Sequence, residues 1–332
     1  MIAALALPLS ACHLPGKHNG GGSSSESTPA PAITPITASP TVAPTSTGLG
    51  GPLPTVTADP SLVAMVPAAL QKAGVMKVGT DSTYAPDEFL ASDGHTVQGF
   101  DIDLLNAVAA KLGLRTSYES ANFDSIIPGV ESGKYDFSVS SFTINADREK
   151  VVDMVSYFSA GIQWAQKSGT NVLSSIDDAC GKKVAAQTGT IEADDLTTRS
   201  KACQKAGKSA ITIDLYQGQD DATAAVVTGK DDAMSADSQV TAYAIQQTGG
   251  KLVTLGPLYE AAPYGFVIKR GEKTFAQAVA SAVNALIGDG TYKAILDHWG
   301  VDSGAIARSE VDPTPVTPSS APSASPSASP TP

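Results

Sequence analysis

Ser140, Ser141, Thr143 and Arg148 place three hydroxyls and one cation in a single short loop. An arginine fork takes a carboxylate bidentately, and hydroxyls and exposed amides add hydrogen bonds to it. Gly189 and Thr190, at a turn ahead of a helical stretch, offer further amides for the same anion. Asp237, with the Ser141 and Thr143 hydroxyls or a nearby carbonyl, suits an ammonium. A free α-amino acid carries both charges on one carbon, so burying it demands a cation on one side and an anion on the other. Tyr84 and Phe123 supply flat faces to cover an apolar stem. Each residue also has a plainer reading: Arg148 as a surface arginine, Asp237 as a helix N-cap, Phe123 as a hydrophobic staple, Tyr84 as a turn aromatic beside Ala85-Pro86.

These residues need elements to position them. Tyr135 to Ser140 alternates apolar and small polar residues, as a strand does, and Asn145 then reads as the N-cap of a helix with Arg148 in its first turn. Val75 to Thr80 predicts a strand that ends in the polar loop Asp81 to Pro86. Apolar residues at helical spacing predict a helix from Asp101, as its cap, to Leu112, stopped by Gly113. A second helix starts at Asp124, turns Ile126, Ile127 and Val130 inward, and stops at Gly133. The order strand, helix, helix, strand implies an α/β architecture with parallel strands. Later strands are expected at Lys183 to Ala186, Ile211 to Leu215, Asp232 to Ala236, Leu252 to Leu255 and Gly265 to Lys269. Helices follow Thr190 and span Asp220 to Thr228, Val240 to Thr248, Phe275 to Ile287 and Tyr292 to Trp299. Ser140, Thr190 and Asp237 all fall at the carboxyl ends of strands, where open α/β sheets bind ligands.

The 332 residues carry a formal charge of −11 with scattered Lys and Arg, which argues against a nucleic-acid partner. No run of eighteen or more apolar residues is present, so no mature membrane span is expected. Residues 20–60 and 312–332, rich in Gly, Ser, Thr, Ala and Pro, are expected to be extended or disordered, leaving a folded region from Leu62 to Arg308. The apolar start ending in Leu9-Ser10-Ala11-Cys12 looks like a bacterial lipobox over residues 1–12, although no Lys or Arg precedes it. A lipidated Cys12 would anchor the chain, with residues 13–60 as tether. In an exported protein Cys180 and Cys203 are expected to form a disulfide, the alternative being two buried thiols. The histidines His13, His18, His95 and His298 suggest neither a metal cluster nor a Ser-His pair, and no phosphate loop is present, so no metal, cofactor or catalytic residue is expected.

Six segments in order carry a resemblance: Asp81-Ser82-Thr83-Tyr84-Ala85-Pro86, Gly99-Phe100-Asp101-Ile102-Asp103-Leu104, Ile127 to Asp136, Gln187-Thr188-Gly189-Thr190, Tyr216 to Asp220 and Asp289-Gly290-Thr291-Tyr292. From Met76 to Gly300 the chain resembles the polar amino acid family of ABC-transporter substrate-binding proteins. The resemblance implies a two-lobe α/β periplasmic-binding-protein-like fold of type II with two crossover hinge strands, placed by position at Phe158 to Gln163 and Ala262 to Phe266. Lobe 1 is expected at 61–160 and 265–307, lobe 2 at 161–264, and a tail at 308–332. Ser140, Ser141, Thr143, Arg148, Gly189, Thr190 and Asp237 would hold the amino acid backbone, Tyr84 and Phe123 sandwich the ligand, and Asp81 meet a basic side chain. Asp87 stands where the family usually has phenylalanine, and Ile191 replaces a common threonine. With Asp81, Asp87 and Glu88 in one loop, a cationic or polar ligand is expected, a solvated loop face being the alternative. The implied partners are an amino acid, an ABC permease and its ATPase, and the outer face of the cell membrane through the lipid anchor, with the protein a monomer. A surface amino-acid sensor and a dehydratase-type enzyme on the same fold are the competing functions.

Overall fold

The computed structural model describes residues 52–170 and 172–313. Its strands are β1 Val75–Thr80, β2 Thr83–Tyr84, β3 Glu88–Leu90, β4 Val97–Gln98, β5 Arg115–Ser120, β6 Phe137–Ser138, β7 Val152–Lys167, β8 Lys183–Gln187, β9 Thr212–Tyr216, β10 Ala233–Asp237 and β11 Leu252–Lys269. The helices are α1 Pro60–Val63, α2 Ala68–Ala73, α3 Phe100–Lys111, α4 Phe123–Ser132, α5 Ile191–Lys205, α6 Gln219–Thr228, α7 Ser238–Gln247, α8 Lys273–Gly288 and α9 Thr291–Trp299. Eight strands form one sheet in the order β5-β1-β6-β11-β7-β10-β8-β9, and β2-β3-β4 form a small second sheet.

Two long strands organise the molecule. β7 has 16 residues and β11 has 18, and they pair antiparallel along their lengths. At about 3.3 Å per residue, β7 reaches about 50 Å, enough to serve two lobes in succession. β5, β1 and β6 lie parallel on one side, and β10, β8 and β9 lie parallel on the other. Each lobe has its own apolar core: Phe100, Leu104, Phe266 and Val279 in the first, Trp164, Val184 and Leu196 in the second. The segments expected as crossovers lie inside β7 and β11, where Ala160 faces Ala262 and Phe158 faces Tyr264. The Cys180–Cys203 disulfide is formed and ties α5 to the chain ahead of β8, which removes the buried-thiol alternative.

Several expectations need correction. Asp101 is not a cap: Gly99 holds that position with φ +139°, and a Cβ there would lie 2.0 Å from the Asp87 carbonyl oxygen. Only glycine fits this approach, which lets the Phe100 and Asp101 amides donate to the Pro86 and Asp87 carbonyls. Strand β5 was missed because Arg-Thr-Ser-Tyr-Glu-Ser has no apolar periodicity; its place at the sheet edge, beside β1, requires none. The strands expected at Leu252 to Leu255 and Gly265 to Lys269 are one strand, concealed in the sequence by Pro257 and Pro263 and shifting register at Leu255/Tyr259, Tyr259/Ala262 and Tyr264/Gly265. The strand expected from Tyr135 to Ser140 is confined to Phe137–Ser138, and Arg148 opens one 3-10 turn rather than a full helix. Ile127 is only partly buried.

The packed chain also exceeds Leu62 to Arg308 at both ends. Leu53 and Val56 pack on the first core, Asp59 caps α1, and on β7 the Ser156 amide donates to the Glu310 carbonyl while the Glu310 amide donates to the Ser156 hydroxyl. Burial of a few apolar side chains and pairing of free backbone groups suffice to order these segments. Cys12 and its neighbours, the tether before residue 52 and the tail after 313 lie outside the described residues.

Candidate functional site

β1, β6, β8 and β10 end at one cleft between the two lobes. Asp81, Tyr84, Phe123, Ser141, Thr143, Arg148, Thr190 and Asp237 all line it, together with Glu88, Gln187, Ile191 and Glu192. Ser140 and Gly189 do not line it but support it. The Ser140 hydroxyl accepts from the Asp81 amide at 2.9 Å and donates to Glu88 Oε1 at 3.0 Å. The Gly189 carbonyl accepts from Arg148 Nη2 at 3.2 Å.

Arg148 is held from below by its own loop. Asp147 rather than Asn145 holds the N-cap position of this turn, and Asn145 Oδ1 instead braces the loop ahead of it, accepting from the Asp147 and Arg148 amides at 3.1 and 2.9 Å. Nη1 donates to the Thr143 carbonyl at 2.7 Å, and the guanidinium sits 5.4 and 5.3 Å from the Phe123 and Phe142 ring centroids. Those rings stack on each other at 4.5 Å. Phe123 is therefore part of an aromatic bed for the cation as well as a cleft wall. Burial pulls the guanidinium down from its ordinary value, and Glu192 and Asp237 oppose this. It stays charged, with N–H donors beyond these two bonds for a carboxylate.

Asp237 occupies the N-cap position of α7, yet its side chain caps nothing. Oδ2 accepts instead from the Tyr84 hydroxyl at 2.8 Å, and the Asp237 amide donates to the same hydroxyl at 3.2 Å. The plain capping reading fails here. Burial raises the Asp237 carboxyl to about 6, against the hydrogen bonds of Tyr264 and Tyr84 and the charge of Arg148. Tyr84 lines the cleft, but its polar end is committed to the opposite lobe. Asp81 is likewise engaged: Oδ1 accepts from the Thr83 amide and hydroxyl at 3.0 and 2.6 Å, and Oδ2 from the Phe123 amide and Gln187 Nε2 at 3.0 and 2.9 Å. Even so, burial raises its carboxyl above the ordinary range.

Beneath the first wall lies a layer of acids. Ser141 adopts φ +50°, its amide donates to Asp101 Oδ2 at 3.0 Å, and its hydroxyl lies 2.9, 3.2 and 3.3 Å from carboxyl oxygens of Asp87, Glu88 and Asp101. One hydroxyl proton serves one of these at a time. The Tyr157 hydroxyl donates to Asp101 at 2.7 Å and Gln239 Nε2 to Asp87 at 2.6 Å. Burial first, then mutual repulsion, pushes Asp87 and Glu88 well above the ordinary carboxylate value; burial takes Asp101 to about 7. Fully buried acids this close share protons, since not all can be charged at once. Asp87 was expected beside Asp81 and Glu88 on a ligand-facing loop; it is wholly buried behind the cleft, with no place in its lining.

On the second lobe the Thr190 hydroxyl caps α5, accepting from the Ala193 amide at 3.3 Å and donating to the Gln187 carbonyl at 2.8 Å. Glu192 follows in the first turn. Sequence reasoning passed over it, because an acid near a helix N-terminus is already explained by the helix dipole. Hydrogen bonds cross the cleft at Tyr84 to Asp237, Gln187 to Asp81, Gln239 to Asp87 and Arg148 to Gly189. The lobes are in contact, and the cavity left between them is about 10 Å³, so the cleft is nearly shut.

Known proteins are similar to this chain in sequence and fold. Residues 76–302 match the model for bacterial extracellular solute-binding proteins, family 3. The chain is 36% identical over 258 residues to an arginine-binding protein of Corynebacterium glutamicum, covering 77% of this chain and 84% of that one. It is 25% identical over 234 residues to an L-cystine-binding protein of Escherichia coli K12, covering 69% and 84%. An ancestral arginine-binding protein bound to arginine superimposes with a TM-score of 0.63 at 31% identity, covering 68% of this chain and 98% of its own. An ancestral amino acid-binding protein described as a precursor of cyclohexadienyl dehydratase gives 0.63 at 30% identity, covering 70% and 97%. With the two-lobe fold and a cleft that joins one arginine to an opposing aspartate, these matches show that the chain belongs to the bacterial extracellular solute-binding proteins, family 3, among relatives that bind amino acids.

Proposed function

We propose that this protein captures a basic L-amino acid, arginine before others, outside the cytoplasm and delivers it to an ABC permease and its ATPase. One observation carries the reading: among the described residues Arg148 is the single cation lining the cleft, set against Asp81, Glu88, Glu192 and Asp237. The ligand carboxylate takes Arg148 with donors from Ser141, Thr143 and the Gly189-Thr190 turn. Its ammonium takes Asp237, and its side chain runs between Tyr84 and Phe123 toward Asp81. The arginine-binding relatives support the same ligand class. A ligand touching both walls favours the closed arrangement over an open one, and only such a ligand shifts that balance. A micromolar Kd needs about 8 kcal/mol, within reach of two desolvated ion pairs under aromatic cover.

In this reading residues 61–160 with 265–307 and residues 161–264 are the moving lobes, and Cys12 is the lipid anchor of a monomer. Titration calorimetry with arginine, lysine, histidine, glutamine and glutamate tests the ligand. Arginine or lysine is expected to bind tightest; tightest binding of glutamate would overturn the cationic assignment. Turnover of a prephenate-like substrate would replace binding with the dehydratase reading, against which the paired Arg148 and Asp237 speak.

A further inference from the structure

Glu192 is 2% exposed, lies in the first turn of α5 and lines the same cleft as Arg148 and Asp237. Its Oε1 is buried without a hydrogen-bond partner among the described residues. The other cleft acids differ. Asp81 accepts four hydrogen bonds, both Glu88 oxygens meet serine hydroxyls, and Asp237 holds the Tyr84 hydroxyl. A buried carboxyl oxygen left unmatched in a binding cleft is costly unless something arrives to match it.

The groups facing Glu192 are Asp237 at the end of β10, Arg148 in the 3-10 turn, Tyr84 on β2 and the Thr190 hydroxyl of its own helix cap. Burial and Asp237 both favour its protonated form, while Thr190 and Arg148 favour the charged one; the balance lies well toward the acid. Arg148 is meanwhile committed to the Thr143 and Gly189 carbonyls. An amino acid's own carboxylate and ammonium cancel in charge and occupy Arg148 and Asp237. A second positive charge on the ligand reaches Asp81, whose oxygens already accept four hydrogen bonds, so matching that charge calls on a further cleft acid to ionise.

We propose that Glu192 is a specificity-determining residue of the cleft, which joins Asp81 in matching the second positive charge of a dibasic amino acid and releases its proton to solvent as that ligand is captured. This rests on the amino-acid-binding reading above and adds to it a proton count and a residue. The proton leaves to buffer, the carboxylate keeps the electron pair, and the cleft gains one negative charge to match the ligand's extra positive one.

The test is calorimetric titration of the full chain with arginine and with lysine at about pH 7.5, in phosphate and in Tris, whose ionisation heats differ. At that pH Asp237 is already ionised and contributes little. About one proton released per bound ligand is expected for the native chain. Glu192→Gln, near-isosteric, is expected to remove the release and weaken arginine binding at least about tenfold. Its thermal midpoint should match the native one. Release that persists in Glu192→Gln, or native binding without release, would overturn the assignment; the latter needs no variant. Failure of the native chain to bind any amino acid would instead remove the functional reading, and this inference with it.

Discussion

The two walls of the cleft are built by different means. The second wall is local: Thr190 caps the helix it precedes, and Asp237 ends a strand and opens the next helix. The first wall depends on distant partners. Ser141 leans on Asp101, 40 residues away, Asp101 on Tyr157, 56 away, and Ser140 on Glu88, 52 away. Even Asp81 takes bonds from Phe123 and Gln187, which approach from elsewhere in the fold. A locally built wall keeps its shape as long as its strand-turn-helix unit holds. A wall hung on buried acids is sensitive to their proton count and to every element that reaches them.

The largest expected effect strikes both walls equally. Arg148→Ala and Asp237→Ala each remove one charge of the proposed ligand clamp, at an expected cost of about 2–5 kcal/mol in binding. Calorimetry should record it with the lobes still folded, and affinity within tenfold of native in either variant would refute the clamp. Next comes the second wall's covalent brace. Cys203→Ser opens a link with sequence separation 23, an expected loss of about 3 kcal/mol in the chain-entropy account. Denaturant unfolding under oxidising conditions should show it, and an unchanged midpoint would mean the brace is redundant.

The effects of pH should separate the walls. Asp101, raised in the folded state to about 7, holds its proton after the unfolded chain has lost it. Stability from this group is full below about pH 4 and is lost as pH rises toward about 7. Asp101→Asn should flatten that decline in urea unfolding; an unaltered pH slope would dismiss the shared-proton account of the acid layer. Asp237 acts in the opposite sense on binding. Its carboxyl, at about 6 in the folded chain, must be charged to hold an ammonium. Affinity should therefore fall below about pH 6, approaching tenfold per pH unit, and the slope should vanish in Asp237→Asn. The smallest effect is expected from Tyr84→Phe, which removes the two hydrogen bonds of that hydroxyl to Asp237 between the walls, each about 0.5–1.5 kcal/mol. A loss far beyond tenfold in affinity would give Tyr84 a larger part than a strut and an aromatic face.

Much of the fold was legible because its signals are local. Helical spacing from Ile102 to Leu112, the Gly133 stop and the strand from Val75 to Thr80 all emerged within about two residues of their places. The polar edge strand β5 and the proline-interrupted β11 were not, because pairing with neighbours rather than composition makes them strands. Eight of the ten candidate ligand residues, chosen for their chemistry, line the cleft, while Ser140 and Gly189 stand behind it. Glu192 was hidden by an adequate local explanation, and Asp87 was assigned to the cleft by proximity in sequence although Gly99 draws it inward against α3.

By itself the sequence determined the α/β class, the lobe-forming motifs, the cation in one wall and the anion in the other. These depend on residue type and short-range periodicity, which a linear chain displays in full. Only the tertiary structure decided that Asp237 faces Tyr84 rather than its own helix, that Asp87 lies behind the cleft, and that Glu192 enters it with an oxygen unmatched. Burial and hydrogen-bond satisfaction depend on groups brought together from distant parts of the chain, so the charge each acid carries is a property of the folded protein.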